Sequence, residues 1–147
     1  MKLSNKGGYN MSFLKGKTAI ITGGGRATLA DGSCGSIGYG IATAYAKEGA
    51  NLVITGRNVQ KLEDAKAELE EKYNIKVLAV QADISAGADN ESIVNNVIKQ
   101  TIDTFGHIDV LINNAQASAS GVTLAEHTTD QFNLAMSVSY THLRAHE

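Results

Sequence analysis

The sequence of 147 residues has little of several residue types that mark particular protein classes. It contains no proline, no tryptophan and one cysteine, Cys34. A single cysteine excludes an internal disulfide and fits a reducing compartment. No apolar run approaches membrane-spanning length, and the polar N-terminus lacks the apolar centre of a signal peptide. We therefore expect a cytoplasmic protein with no membrane partner.

Charge and histidine patterns exclude two further classes of partner. Lysine and arginine total 13 against 15 acidic residues, giving a formal net charge of −2, and no basic stripe is visible. Nucleic acid is therefore not an expected partner. No histidine spacing is supported by other metal ligands, so no metal site is predicted; the histidines are His107, His127, His142 and His146.

Apolar, β-branched runs alternate with helical patterns along most of the chain. The residues before position 15 lack core-forming periodicity, so 1–14 is predicted to be a flexible extension. The predicted strands are 18–22, 52–55, 76–83 and 110–113, and the predicted helices are 37–48, 59–72 and 89–105, with another helix beginning near Thr129. This alternation predicts an α/β fold with a parallel sheet covered on both faces.

Helical spacing also predicts which side chains face the sheet. In the first helix the expected apolar face is Ile37, Ile41, Ala44 and Tyr45. In the third helix the expected apolar face is Ile93, Val97, Ile98 and Ile102.

The first strand ends in Thr22 and the glycines Gly23–Gly25, ahead of a helix beginning near Ile37. A glycine turn lets the backbone approach a ligand closely, and a helix N-terminus offers N–H groups to an anion. The pattern predicts a pyrophosphate site, with Gly38 rather than Gly40 allowing close packing. The alternative is a glycine-rich turn that binds nothing.

Polar and glycine residues follow each predicted strand. They are Thr22–Gly25, Gly56–Arg57, Asp83–Ile84 and Asn113–Ala115. The carboxyl ends of parallel strands meet at one edge, where such sheets bind ligands. We therefore expect these four groups to form one site.

The residue after the second strand predicts the choice of dinucleotide. An acidic residue there would favour NAD through the ribose 2′-hydroxyl, but the chain has Arg57, whose guanidinium can pair with a 2′-phosphate. Arg26 could add a second charge. NADP is therefore the predicted cofactor, with NAD possible. The alternative for Arg57 is a solvated loop arginine.

The remaining strand ends offer groups for the adenine and the cofactor floor. Asp83 could accept from the adenine amino group with Ile84 beside the ring, or it could be an ordinary cap. Asn113 and Asn114 could bridge to the neighbouring strand and line the cofactor floor, or they could serve turn chemistry alone.

Together these residues resemble the short-chain dehydrogenase/reductase family over roughly 15–137. The family motif Thr-Gly-x-x-x-Gly-x-Gly is similar to Thr22–Arg26 followed later by Ser36–Gly38, and the Asn-Asn-Ala-Gly motif is similar to Asn113–Ala115. The segment Phe105–Ala115, FGHIDVLINNA, is particularly specific. The resemblance implies a Rossmann-type doubly wound sheet and hydride transfer between NADP(H) and a carbonyl or alcohol. The predicted cofactor-binding residues are Thr22, Gly23, Gly25, Arg26, Ser36, Ile37, Gly38, Arg57, Asp83, Ile84, Asn113 and Ala115.

Two departures from the family pattern lie in the site itself. The glycine motif is interrupted by nine residues between Arg26 and Ser36, and Gln116 replaces a glycine. The segment GSIGYGIA also resembles enoyl-acyl-carrier-protein reductases, although Asn113–Ala115 and Arg57 favour the carbonyl-reductase side.

The third departure concerns catalysis. The family uses a serine and a Tyr-x-x-x-Lys pair, and the sequence contains no Tyr-x-x-x-Lys. Tyr140 to Arg144 is rejected as a substitute because it lies too close to Asn114 and arginine cannot replace the lysine. No catalytic residue is therefore assigned.

The end of the sequence departs from the family as well. Residues 138–147 resemble translated sequencing-adapter read-through, so we expect about four strands of a truncated sheet and an unrelated tail. We expect the intact enzyme to be a homo-oligomer acting on a small molecule. A non-catalytic dinucleotide-binding module is the competing hypothesis.

Overall fold

A computed structural model describes residues 12–33, 35–83, 89–116 and 123–133. It confirms the α/β fold and every strand and helix predicted up to residue 113, with ends shifted by at most two residues. The elements are β1 (Thr18–Thr22), α1 (Ile37–Lys47), β2 (Asn51–Gly56), α2 (Val59–Tyr73), β3 (Val77–Gln81), α3 (Asn90–Phe105) and β4 (Val110–Ile112). The predictions for Cys34, Ile84, 1–11 and the 138–147 tail lie outside the described residues.

The described strands form one parallel sheet in the order β3-β2-β1-β4. Ala19 of β1 pairs with Leu52 of β2 on one side and with Val110 of β4 on the other. Chain order therefore reverses direction at β1. The carboxyl ends of β1 and β4 flank this reversal, which is where open α/β sheets bind ligands.

Buried side chains occupy both faces of the sheet, because successive strand residues point to opposite faces. Ile21 and Ile54 pack with Leu62 and Leu69 of α2 on one face, while Ile20 and Val53 pack with Val97 of α3 on the other. These faces confirm the predicted two-sided cover. The core also includes a residue before β1, because Leu14 packs on the face that contains Ile21 and Ile54.

The predicted apolar faces of the helices were only partly right. In α1 the buried side chains are Tyr39, Ala42 and Ala46, while Ile37 is 73% exposed. Helical spacing predicts that apolar residues share one face, but it does not determine which residues lie at the middle of that face. In α1 the helix is rotated so that Gly38 and Tyr39 face the core. Ala44 of the predicted face is also exposed.

In α3 the apolar face is shifted in the same way. Val97 and Thr101 are buried, and Ile93 is partly buried against the sheet face that contains Ile20. By contrast, Ile98 and Ile102 are 41% and 43% exposed. Thr101 can be buried because its hydroxyl donates to the Val97 carbonyl, 2.7 Å away.

Side-chain caps mark the start of α1 and α2, whereas Asp89 makes no side-chain cap at the start of α3. Ser36 caps α1, and Asn58 caps α2 by accepting from the Lys61 N–H at 3.0 Å. Near the end of the described chain a helix begins at Thr129, as predicted. Its cap is Thr128, whose hydroxyl accepts from the Gln131 N–H at 3.2 Å.

Candidate functional site

A cleft of about 330 Å³ opens at the carboxyl edge of the sheet, between the glycine turn and the ends of β2, β3 and β4. Four strand ends meet there, as the sequence predicts. The lining residues are Gly23, Gly35, Ser36, Ile37, Gly38, Thr55, Gly56, Arg57, Ala82, Asp83, Asn114, Ala115 and Gln116.

The tightest packing in the cleft is between Gly38 and the glycine turn. A Cβ on Gly38 would lie 2.2 Å from the Gly23 carbonyl oxygen and 2.6 Å from Asn114 Nδ2, so no side chain fits. Gly40 has nothing within 4 Å of its Cβ position. The prediction that Gly38 is the close-packing glycine is therefore confirmed.

The N-terminus of α1 forms one wall of the cleft. The Ser36 hydroxyl accepts from the Tyr39 N–H at 3.4 Å, and the Gly40 N–H donates to the Ser36 carbonyl at 3.1 Å. By helix geometry the N–H groups of Ile37 and Gly38 have no partner inside the helix. Both residues line the cleft, so this wall can donate to an anion.

The floor is built by Thr22 and the asparagine at the end of β4. The Thr22 hydroxyl accepts from the backbone N–H groups of Asn114 and Ala115, each at 3.0 Å, and donates to the Ile112 carbonyl at 3.3 Å. The Asn114 side-chain amide also donates to the Thr22 carbonyl at 2.9 Å. The predicted bridge between the strands is confirmed for Asn114.

The opposite wall carries the charged side chains of the cleft. Arg57 is exposed after β2, and its carbonyl accepts from Gln81 Nε2 at 3.0 Å. Asp83 lies after β3. Arg57 and Asp83 also line a second cleft of about 540 Å³ against the start of α3, with Ser92 and Asn96. One cation and one anion therefore face the space beyond the glycine turn.

The described residues of the insertion, 27–33 and 35, form a loop that backbone hydrogen bonds close. The Gly35 N–H donates to the Ala27 carbonyl at 3.0 Å, which closes the neck, and the Leu29 N–H donates to the Ser33 carbonyl at 2.8 Å. At the tip, Asp31 accepts from the Ser33 N–H at 2.9 Å, and this contact with the Ser33 hydroxyl and amide lowers the pKa of Asp31. This closure brings the two ends of the insertion together directly before Ser36, the cap of α1.

Arg26 points to α2. Its Nε lies 2.6 Å from Glu68 Oε2, and its Nη1 donates to the Thr28 hydroxyl at 2.7 Å. Glu68 also accepts from Lys72 and from the Tyr39 hydroxyl. The Lys72 hydrogen bond, with help from Tyr39 and Arg26, lowers the pKa of Glu68. Burial, followed by the Glu68 hydrogen bond, raises the pKa of Tyr39 to about 12.

The structure separates the predicted cofactor residues into two described groups. Those that line the cleft are Gly23, Ser36, Ile37, Gly38, Arg57, Asp83 and Ala115. Those outside the lining among the described residues are Thr22, Gly25, Arg26 and Asn113. Thr22 supports the floor, and Gly25 packs on Lys61, where its Cβ would lie 3.3 Å from the Lys61 Cβ.

Six lining residues are missing from the predicted cofactor-binding set, although Gly56 and Asn114 were expected at this edge of the sheet. They are Gly35, Thr55, Gly56, Ala82, Asn114 and Gln116. Asn114 and Gln116 carried a signal, since one lies inside the asparagine motif and the other departs from it. The other four, Gly35, Thr55, Gly56 and Ala82, lie next to a predicted residue in the sequence or one residue further away.

The described residues contain neither a membrane-spanning helix nor a cluster of metal ligands. No helix there is both long enough and apolar enough to span a membrane. No three His, Cys, Asp or Glu side chains in that part of the chain are grouped as metal ligands would be.

Comparison with known proteins gives one family. A family model described as short chain dehydrogenase matches residues 17–143. A curated relative from Clostridium sp., named 12alpha-hydroxysteroid dehydrogenase, is 57% identical over 124 residues, which cover 84% of this chain and 45% of the relative.

Solved structures agree with that match. L-sorbose reductase from Gluconobacter frateurii, complexed with NADPH and L-sorbose, is 32% identical with a TM-score of 0.68, covering 92% of this chain and 47% of the reductase. An NAD+-bound xylitol dehydrogenase is 25% identical with a TM-score of 0.70, covering 87% of this chain and 44% of that enzyme. The chain spans about half the length of the relatives it matches.

Proposed function

This chain belongs to the short-chain dehydrogenase family, and from that membership we propose that it is the cofactor-binding half of an NADP(H)-dependent oxidoreductase acting on a carbonyl or alcohol. The observation that carries the proposal is the contact between Gly38 and Gly23, which leaves the N-terminus of α1 open to the cleft. A nicotinamide dinucleotide supplies or accepts the hydride when bound.

Each wall of the cleft has a role in this proposal. The N–H groups of Ile37 and Gly38 bind the pyrophosphate, because they lie at the positive end of a helix. Asp83 accepts from the adenine side, and Asn114 with Ala115 supports the nicotinamide end. Thr22 acts beneath the cofactor by holding β1 to β4, not by contact with it.

NADP is proposed over NAD because of the charge beside the ribose. Arg57 is exposed at the cleft and stands where an acidic residue would select NAD. A guanidinium can form two hydrogen bonds with a phosphate. Both dinucleotides occur in similar solved structures, since the sorbose reductase was solved with NADPH and the xylitol dehydrogenase with NAD+.

The test is a titration of the 147-residue chain with NADP+ and with NAD+ by calorimetry. We expect tighter binding of NADP+, and we expect Arg57→Gln to weaken NADP+ about 10- to 100-fold while leaving NAD+ within about twofold, since a charge-assisted pair contributes about 1.5–3 kcal/mol. Lys76→Gln is the matched control, because Lys76 is exposed at the opposite end of β3. Binding of neither dinucleotide would overturn the proposal, and equal losses for both would overturn the role of Arg57.

Catalysis needs residues beyond the cofactor cleft. The sequence has no Tyr-x-x-x-Lys, so the 147-residue chain is expected to bind the dinucleotide without oxidising NADPH. A hydroxysteroid is the specific candidate substrate, because the relative with 57% identity carries that name. Resequencing the source DNA from codon 138 onward tests this part. A frame that continues into a serine and Tyr-x-x-x-Lys supports it, after which the product is assayed with NADP+ and a 12α-hydroxysteroid; confirmed codons 138–147 followed by a stop contradict catalysis by this polypeptide.

A further inference from the structure

We infer that Arg26 is a positioning residue, which joins the two halves of the interrupted glycine motif through Glu68 and thereby prepares the turn for the cofactor diphosphate. The inference rests on the proposed function, since it concerns how the same cleft is held. It differs from the expectation that Arg26 adds a second charge for the 2′-phosphate.

The first observation is that the glycine turn is fastened to α2 at successive points. The Arg26 N–H donates to the Lys61 carbonyl at 2.9 Å, and Arg26 Nε lies 2.6 Å from Glu68 Oε2. One residue earlier, Gly25 lies so close to Lys61 that an added Cβ would come within 3.3 Å of its Cβ. The backbone and the side chain of Arg26 are both held by the same helix.

The second observation is that residues on either side of the insertion contact one carboxylate, that of Glu68. Arg26 is the last residue before the nine-residue insertion, and Tyr39 directly follows Gly38 on the other side of it. Arg26 and the Tyr39 hydroxyl both contact Glu68. The Arg26 and Glu68 side chains are only 29% and 25% exposed, so water screens this pair less than an open surface pair.

These contacts have a consequence for binding. An interrupted motif has more backbone to order than a short turn, and ordering it costs conformational entropy. Binding energy must offset this cost unless contacts in the free protein already hold the backbone in place. The Arg26–Glu68–Tyr39 contacts do so in the free chain. Because the diphosphate is common to NAD+ and NADP+, loss of these contacts must weaken both by the same factor.

The experiment measures NAD+ and NADP+ affinity for the 147-residue chain carrying Arg26→Gln, Glu68→Gln or both. We expect each single variant to weaken both dinucleotides equally, by about 3- to 10-fold, and the double variant to be no weaker than either single one. The matched controls are Lys99→Gln and Asp103→Asn, which remove the same charges from an exposed ion pair on α3 and are expected to leave both affinities unchanged.

The outcomes separate this inference from the proposed function. A loss confined to NADP+ in Arg26→Gln, with Glu68→Gln unchanged, would show direct phosphate contact and overturn the positioning role, as would unchanged affinities in both variants. If the wild-type chain binds neither dinucleotide, the proposed function fails. Amide hydrogen exchange at Arg26 then decides the anchoring: faster exchange in both variants supports it, and unchanged exchange overturns it.

Discussion

The side chains of Thr22 and Asn114 each hydrogen-bond to the backbone of the other residue, and Asn114 is the donor in both bonds. The Thr22 hydroxyl accepts from the Asn114 N–H at 3.0 Å, and the Asn114 amide donates to the Thr22 carbonyl at 2.9 Å. The last residue of β1 is thereby fixed to the turn after β4. The position of the cleft floor depends on this pair.

Replacing Thr22 by valine tests the strength of that pair. The variant keeps the shape but leaves the N–H groups of Asn114 and Ala115 without their acceptor, so we expect a loss of about 2–3 kcal/mol in the free energy of unfolding. Thr22→Ser keeps the hydroxyl and should lose only about 1 kcal/mol for the missing methyl. Urea unfolding measures both, and equal midpoints for the two variants would contradict the role of the hydroxyl.

Gly38 and Gly40 form a matched pair within one helix turn. Gly38→Ala forces a methyl against the Gly23 carbonyl, so we expect about 1–3 kcal/mol of destabilisation and a loss of about tenfold or more in dinucleotide affinity. Gly40→Ala meets open space and should stabilise α1 by up to about 1 kcal/mol. Thermal unfolding and calorimetry compare them. Similar behaviour of the two variants would mean that the close contact at Gly38 is unimportant.

The hydrogen bonds of Asp109 predict how the free energy of unfolding changes at acidic pH. It accepts from Lys17 Nζ at 2.9 Å and from the Thr18 N–H at 2.8 Å, and these contacts hold the pKa of Asp109 below its ordinary value of 3.8. A lowered carboxyl pKa stabilises the fold above the unfolded value and loses that effect as pH falls through the folded value. We expect Asp109→Asn to lower stability at pH 7 and to flatten the decline below pH 4.

The control for this measurement is Asp103→Asn on the exposed side of α3. It should keep the wild-type decline when denaturant midpoints are followed from pH 7 to pH 2. An Asp109→Asn profile parallel to the wild type would show that the Lys17 and Thr18 contacts do not couple folding to protonation.

Tyr39 predicts a late step in alkaline titration. Burial, and then the hydrogen bond to Glu68, raises the pKa of Tyr39 from 10.0 to about 12. Its contribution to stability is therefore complete below pH 10 and disappears as pH rises toward 12. In absorbance at 295 nm, Tyr39→Phe should remove a phenol whose pKa is about 12. If Tyr39→Phe instead removes a phenol that ionises near pH 10.0, the Tyr39 hydroxyl is exposed to solvent and not buried against Glu68.

The sheet and the shape of the cleft were largely predictable because their signals are local. β-branched runs fixed the strands, and parallel packing then brought their ends to one edge. Gly38 could be separated from Gly40 because it lies closer to the turn. The cofactor preference carried by Arg57 stays a prediction, since which dinucleotide this chain binds depends on a contact that no local pattern determines.

The roles of Arg26 and of the helix faces needed the structure. Arg26 lies in the glycine motif, but its partner Glu68 lies on α2. No spacing in the sequence predicts that pair. Ile37 looked like a core residue by periodicity and is 73% exposed, because the residue beside it had to be a glycine facing the turn. Packing between distant segments decided both.

The pairing of β1 sets an order of assembly. Ala19 meets Leu52 as soon as the first crossover is made, but its other partner, Val110, is synthesised only after α2, β3 and α3. Contacts between distant positions form late because their loop must close first. During translation, therefore, the glycine turn and Arg57 emerge well before Asn114 can close the floor beneath them, and dinucleotide binding would report that the nascent chain has passed this last step.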